Sequence, residues 1–183
     1  MISYVAAELS SEINANSESI YLFENKPVLL NQIKTIIDTE SPISQNALFR
    51  KILKLWNTSR AGGKMNNYLL ETLNSIPNLQ TSESYQKFYW SENLLPQNLD
   101  FYRDNSVEKR LIDEIAPEEI SVAIMELMHS SLSLNKDELI RAVCKAFGFA
   151  KVGSQIDSVV NFSVEDLVEK GVLKEVDGRI VLG

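Results

Sequence analysis

Residues 44–69, SQNALFRKILKLWNTSRAGGKMNNYL, decide the reading of this chain, because residues 135–160, NKDELIRAVCKAFGFAKVGSQIDSVV, repeat their apolar pattern at an offset of 91 without a gap. Leu48, Ile52 and Trp56 match Leu139, Val143 and Phe147, at spacings that place them on one face of a helix. Gly62 falls on Gly153, Met65 on Ile156, and Tyr68-Leu69 on Val159-Val160. Ser44 and Asn135 stand where a helix would need a side-chain acceptor for its first free N–H groups. Glu138, three residues after Asn135, adds the acid of a capping box.

The pattern extends outward on both sides. Ile33, Ile36 and Ile37 match Ile124, Leu127 and Met128, Ile43 matches Leu134, and Tyr89-Trp90 match Ile180-Val181. Few of these pairs are identities, so what repeats is the order of buried and exposed positions. Each copy predicts a helix (about Pro27–Asp38 in the first), a short extended piece and a second helix. A glycine turn, a third helix and a β-hairpin follow, with Tyr85–Trp90 and Leu173–Leu182 as the β-rich stretches. Asp177-Gly178 is a hairpin dipeptide, and Ser154 reads as an N-cap of the last helix. The expected fold is mainly α with small β-hairpins (α+β), as two tandem winged-helix, helix-turn-helix-like modules. Expected boundaries are an N-terminal extended segment and loop at 1–24, module one at 25–92, a linker at 93–105 whose apolar residues pack down, and module two at 106–183.

Composition bounds the function. The chain carries a net charge of −7, with 8 basic and 10 acidic residues in 1–100 and 10 and 15 in 101–183. Bulk electrostatics therefore oppose nucleic acid, and any such contact must come from a local basic face. One cysteine (Cys144) excludes an internal disulfide, and one histidine (His129) leaves little for a zinc site. Both read as incidental or core residues. No apolar run reaches the roughly 20 residues of a membrane span, and no signal peptide opens the chain, so a cytoplasmic protein is expected. The acidic run from Asp113 to Glu119 reads as a solvated helix start.

The landmarks resemble a family: the domain of unknown function at the C-terminal end of large bacterial superfamily 1 helicase-like proteins, often downstream of a restriction-endonuclease-like segment. The residues that carry it are Tyr4-Val5-Ala6-Ala7, Glu40-Ser41-Pro42-Ile43, the arginine-bearing helix from Arg50 to Trp56-Asn57, and Arg60-Ala61-Gly62-Gly63-Lys64-Met65. In the second half they are Leu132–Asn135, Glu138–Arg141, Phe147-Gly148-Phe149, Lys151–Ile156 and Gly178-Arg179-Ile180. The resemblance implies a fragment or stand-alone version of a DNA-processing ATPase, with the ATPase portion of the same or an associated protein as partner. No phosphate-binding Gly-x-x-x-x-Gly-Lys-Ser/Thr loop is present. The family's arginine-rich turns are thinned to Arg60 and Lys64 and to Lys151 and Gln155, and Asn57 replaces a glycine.

The expected function is that of a non-catalytic accessory module. Module one would bind nucleic acid, with DNA the partner expected, and module two would bind protein. The alternative is a scaffold for protein contacts alone. No catalytic constellation, metal site or cofactor motif is legible, and the oligomeric state is open. The candidate contacts are Arg50 and Lys54, repeated as Arg141 and Lys145. Arg60 and Lys64 beside the glycine turn join them, with Asn67 (and Asn66) on the third helix, Lys87 in the wing, and Lys151. Like charges four apart on a helix repel by a few tenths of a kcal/mol, roughly 0.2–0.5, so a repeated pair hints at an anion that answers it. The third helix would enter a major groove with its N-terminus able to take a phosphate. Tyr85, Phe88, Tyr89 and Trp90 could stack on bases, though alternate positions of a small hairpin more often form core.

Overall fold

In the computed structural model, which describes all residues except 11–14 and 107, the chain builds one element order twice. The first series is α1 (Lys26–Glu40), β1 (Ile43–Ser44), α2 (Gln45–Leu55), α3 (Gly63–Asn74), β2 (Gln80–Glu83) and β3 (Lys87–Trp90). The second is α4 (Pro117–His129), β4 (Leu134–Asn135), α5 (Lys136–Ala146), α6 (Ser154–Glu169), β5 (Leu173–Val176) and β6 (Arg179–Leu182). Each hairpin gains a third strand, the short extended piece ahead of the second helix, giving antiparallel sheets of order β1-β3-β2 and β4-β6-β5. Ile43 pairs with Tyr89 and Leu134 with Ile180, so the offset of 91 persists across the sheet. The fold is thus α+β, with helices dominant. Two units are delimited: Val5–Leu95, and Met1–Tyr4 together with Pro96–Gly183.

Local chemistry sets the helix limits. The Ser44 hydroxyl accepts the Ala47 N–H at 3.2 Å. Asn135 Oδ1 accepts the Glu138 N–H at 2.8 Å while Glu138 Oε2 accepts the Asn135 N–H at 2.9 Å, a closed capping box. Pro27 sits in the first turn of α1 and Pro117 opens α4, where a missing N–H costs nothing. Helix α2 stops in a Schellman turn: the Asn57 N–H reaches the Lys54 carbonyl and the Thr58 N–H the Leu53 carbonyl. Helix α5 stops identically, from Gly148 to Lys145 and from Phe149 to Cys144. The left-handed residue of each turn is Asn57 (φ 48°) or Gly148 (φ 72°), so asparagine fills the glycine position without abandoning its conformation.

The core of Val5–Leu95 is drawn from all three helices and the sheet: Ile33 and Ile36 of α1, Leu48 and Ile52 of α2, Leu69 and Leu73 of α3, and Tyr89 of β3. Burying each such aliphatic side chain stabilises by about 1.5–3 kcal/mol. The Trp56 indole N–H donates to Gln32 Oε1 at 2.8 Å, which satisfies the buried amide. The other unit buries the matching set, among them Ile124, Leu139, Val143, Phe147, Val160 and Val164.

Several expectations change. The run Asp113–Glu119 is not a solvated helix start, since Glu114 and Glu119 are both buried. Glu119 accepts from Arg103 at 2.7 Å and from Arg110 at 2.9 Å. Both guanidinium groups also lie about 5 Å from the centre of the Tyr4 ring. Burial alone would raise the Glu119 pKa, but the charge and hydrogen bonds of Arg103 and Arg110 outweigh it and hold the carboxyl below the usual range. Ser154 is the first helical residue of α6 rather than its cap; Gly153 is the cap.

Within the stretch 1–24, expected as an extended segment and a loop, Ser19–Tyr21 forms a 3-10 turn, and a second, Phe23–Asn25, leads into α1. The polar loop expected at Ser10–Ser19 falls partly on residues 11–14, outside the described residues. The first hairpin begins at Gln80, ahead of the stretch expected from sequence. Its leading strand, Gln80-Thr81-Ser82-Glu83, is largely exposed and shows no apolar alternation.

Candidate nucleic-acid interface

Between Ser41 and Leu70 the sequence carries five basic residues, Arg50, Lys51, Lys54, Arg60 and Lys64, and no acid. The matching stretch Leu132–Asn161 carries Lys136, Arg141, Lys145 and Lys151 against Asp137, Glu138 and Asp157. A chain of net charge −7 therefore concentrates positive charge on the segment from β1 to α3 and largely balances it on the segment from β4 to α6.

Within Val5–Leu95, α2 presents Arg50 and Lys54 to solvent, one helical turn apart, on the side opposite buried Leu48 and Ile52. Lys51, which the sequence did not mark, leaves this set. Its ammonium pairs at 3.1 Å with Glu40, which is fully buried and also accepts the Ala7 N–H at 3.0 Å. The turn after α2 exposes Arg60, and the first two turns of α3 expose Lys64, Asn66 and Asn67. Among the described residues Lys54, Arg60 and Lys64 make no ion pair. Lys64 is steadied from below, with its ammonium 4.4 Å from the centre of the Tyr21 ring. Tyr21 packs in turn on Tyr68 at 5.0 Å. Burial, then the neighbouring Tyr21, raises the Tyr68 pKa.

Gly62, the α3 cap, has φ −77° and ψ 174°, an extended conformation open to any residue. Conformation does not demand glycine there. What glycine supplies is access: a Cβ at Gly62 or Gly63 would meet open space, and no side chain covers the free N–H groups at the helix start. Beside this end runs an open groove of about 450 Å3. It is lined by Asn46, Phe49, Arg50, Leu53 and Lys54 of α2, Thr58 and Ser59 of the turn that follows, and Asn66 of α3, with Phe49 and Leu53 largely buried.

The remaining candidates lie elsewhere. Lys87, at the start of β3, pairs across the hairpin with Glu83 at 3.5 Å, so the hairpin offers no unanswered lysine. Phe88, Tyr89 and Trp90 are buried, which makes them core rather than a stacking platform. Tyr89 donates to Gln45 Oε1 and Trp90 to the Ser82 hydroxyl. In the other unit Arg141 faces Asp137 at 3.9 Å, Lys136 faces Glu165 at 3.5 Å and Arg179 faces Glu138 at 3.6 Å. Lys145 and Lys151 are exposed without an ion pair among the described residues.

Cys144 is buried beside the Phe149 carbonyl, and burial pushes its thiol pKa up, away from nucleophile chemistry. His129 is exposed at the end of α4 with Nδ1 2.6 Å from the Met125 carbonyl. Among the described residues no three His, Cys, Asp or Glu side chains gather to hold a metal ion. No described helix is long and apolar enough to cross a membrane.

Comparison with known proteins adds one match. Residues 18–67 are similar to the family described as protein of unknown function (DUF3320). The matched segment starts just before the first 3-10 turn, runs through α1, β1 and α2, and ends on Asn67 of α3, so it contains the basic face described above. No curated protein matches the chain.

Proposed function

We propose that this chain is a pair of winged-helix modules serving as a non-catalytic accessory of a helicase- or nuclease-like DNA-processing protein. In this reading Val5–Leu95 contacts the phosphates of nucleic acid and the second unit contacts protein. The order helix, strand, helix, helix, strand, strand, with the first strand paired to the last, supports the reading as a helix-turn-helix with an appended wing. The observation that carries the reading is the charge contrast between equivalent segments, five cations and no acid against four cations and three acids. Phosphate neutralisation supplies most non-specific affinity, so only the first segment is equipped for it. The resemblance to the terminal domain of helicase-like proteins supplies the expected context.

For the second unit the support is its surface. Helix α6 exposes Asp157, Glu165 and Glu169, which repel phosphate, alongside Phe162 and Val168. Val176 and Leu182 of the second hairpin are 52% and 40% exposed. Scattered apolar exposure is ordinary, but its coincidence with acids suits a protein partner better than a polyanion.

A gel-shift titration at low salt tests the division. The complex should form with the intact chain and weaken strongly in Arg60→Glu plus Lys64→Glu. It should persist in Lys145→Glu plus Lys151→Glu. Absence of any complex at low salt, with capture of the ATPase portion retained, would favour a scaffold role for both units instead.

A further inference from the structure

The groove beside α3 has a composition that phosphate contact alone does not explain, and this inference rests on the nucleic-acid reading of the same face. We propose that it seats one unpaired nucleotide of a single strand, the base lying in the groove and its phosphate on the Lys54 side. Three observations carry this. The groove measures about 450 Å3, inside the range of roughly 300–1,000 Å3 typical of small-molecule sites. Its lining combines the apolar Phe49 and Leu53 with amides and a hydroxyl from Asn46, Asn66 and Ser59. Among the described residues the side chains of Asn46, Lys54, Ser59 and Asn66 have no hydrogen-bond or ion-pair partner, so these four are open to a ligand, while the Thr58 hydroxyl is already bonded to the Trp56 carbonyl.

A flat heteroaromatic ring with polar edges matches a lining of apolar and amide groups, and a phosphate beside it matches the neighbouring cations. The wing argues against a duplex. Gripping two strands calls for cations flanking α3, whereas the hairpin turn Ser84-Tyr85-Gln86 has none and Lys87 is already paired with Glu83. A flipped or unpaired base needs only the one groove.

The test compares three fluorescent probes by anisotropy at low salt: a short DNA single strand, the same strand with abasic sites, and the matching duplex. The expected order is single strand tightest, with the abasic strand weaker by about tenfold. Ser59→Leu, at an exposed turn position, should obstruct the groove and reduce the difference between base-bearing and abasic strands. Lys54→Gln should weaken both strands alike. Equal affinity for the abasic strand, tighter binding of the duplex, or no effect of Ser59→Leu overturns the nucleotide seat. In those cases sensitivity to Arg60→Glu plus Lys64→Glu would leave the basic-face reading standing. Failure of all three probes to bind overturns both.

Discussion

Asn57 and Gly148, 91 positions apart, are both left-handed, with φ of 48° and 72°, and each ends the second helix of its unit in the same Schellman turn. Asn57 does more than tolerate the conformation: its side-chain amide donates to the Ala15 carbonyl at 3.0 Å and ties the chain ahead of α1 to the end of α2. Asn57→Ala should therefore cost about 1–2 kcal/mol from conformation alone, and Asn57→Gly should remove the tie while sparing the backbone. Chemical denaturation followed by tryptophan fluorescence reads this directly, because Trp56 and Trp90 both lie in Val5–Leu95.

The Glu119 carboxylate pairs with two buried guanidinium groups, Arg103 at 2.7 Å and Arg110 at 2.9 Å, so its removal strips a charge partner from both. Glu119→Gln should destabilise the second unit by about 3–5 kcal/mol. The loss should appear in far-UV circular dichroism with a smaller shift of the tryptophan signal. The pH dependence has a definite sign. A carboxyl held below its ordinary pKa by folding contributes stability that is present above the ordinary value and lost as pH falls toward the folded one. Acid titration of the intact chain should show this loss, and the Gln variant should show a flatter acid limb.

Tyr89 gives the opposite limb. Burial first, then the nearby Glu83, pushes its hydroxyl from the ordinary 10.0 to about 12. Above the ordinary value the unfolded chain releases this proton while the folded chain retains it, so stability falls as pH rises through that window. Tyr89→Phe should flatten the alkaline loss of Val5–Leu95, measured as denaturation midpoint against pH, at the expense of the hydrogen bond to Gln45.

Trp56→Phe should strand the buried Gln32 amide and cost about 1–3 kcal/mol beyond any packing loss. Adding Gln32→Met should recover most of that cost, since the unsatisfied amide is then gone. A double mutant no more stable than Trp56→Phe alone would show that packing dominates.

Much of the architecture was legible because it lies in local periodicity. Leu48, Ile52 and Trp56, with the caps Ser44 and Asn135, announce their helices before any tertiary contact forms. The paired strand Gln80–Glu83 was not legible, because an exposed polar edge strand carries no alternation. The burial of Glu119 was not legible either. Its partners Arg103 and Arg110 lie in irregular chain 16 and 9 residues away, and a run of acids at a helix start ordinarily meets water. Among the candidate site residues, Arg50, Lys54, Arg60 and Lys64 stood out in sequence by charge and spacing. The groove lining at Phe49 and Leu53 was hidden, since neither belongs to the apolar set Leu48, Ile52 and Trp56 that the spacing picks out. Lys87 is paired because the register sets it across from Glu83, which only the strand pairing reveals.

The central claim is that the basic face of Val5–Leu95 neutralises phosphates. Its most direct measure is the association constant for a DNA probe across a salt series, for the intact chain and for Arg60→Gln plus Lys64→Gln. The slope of log affinity against log salt should be negative for the intact chain and shallower by about two in the variant. The same substitutions at Lys145 and Lys151 should leave it unchanged. A slope indifferent to Arg60 and Lys64, or one that depends equally on Lys145 and Lys151, would contradict the account.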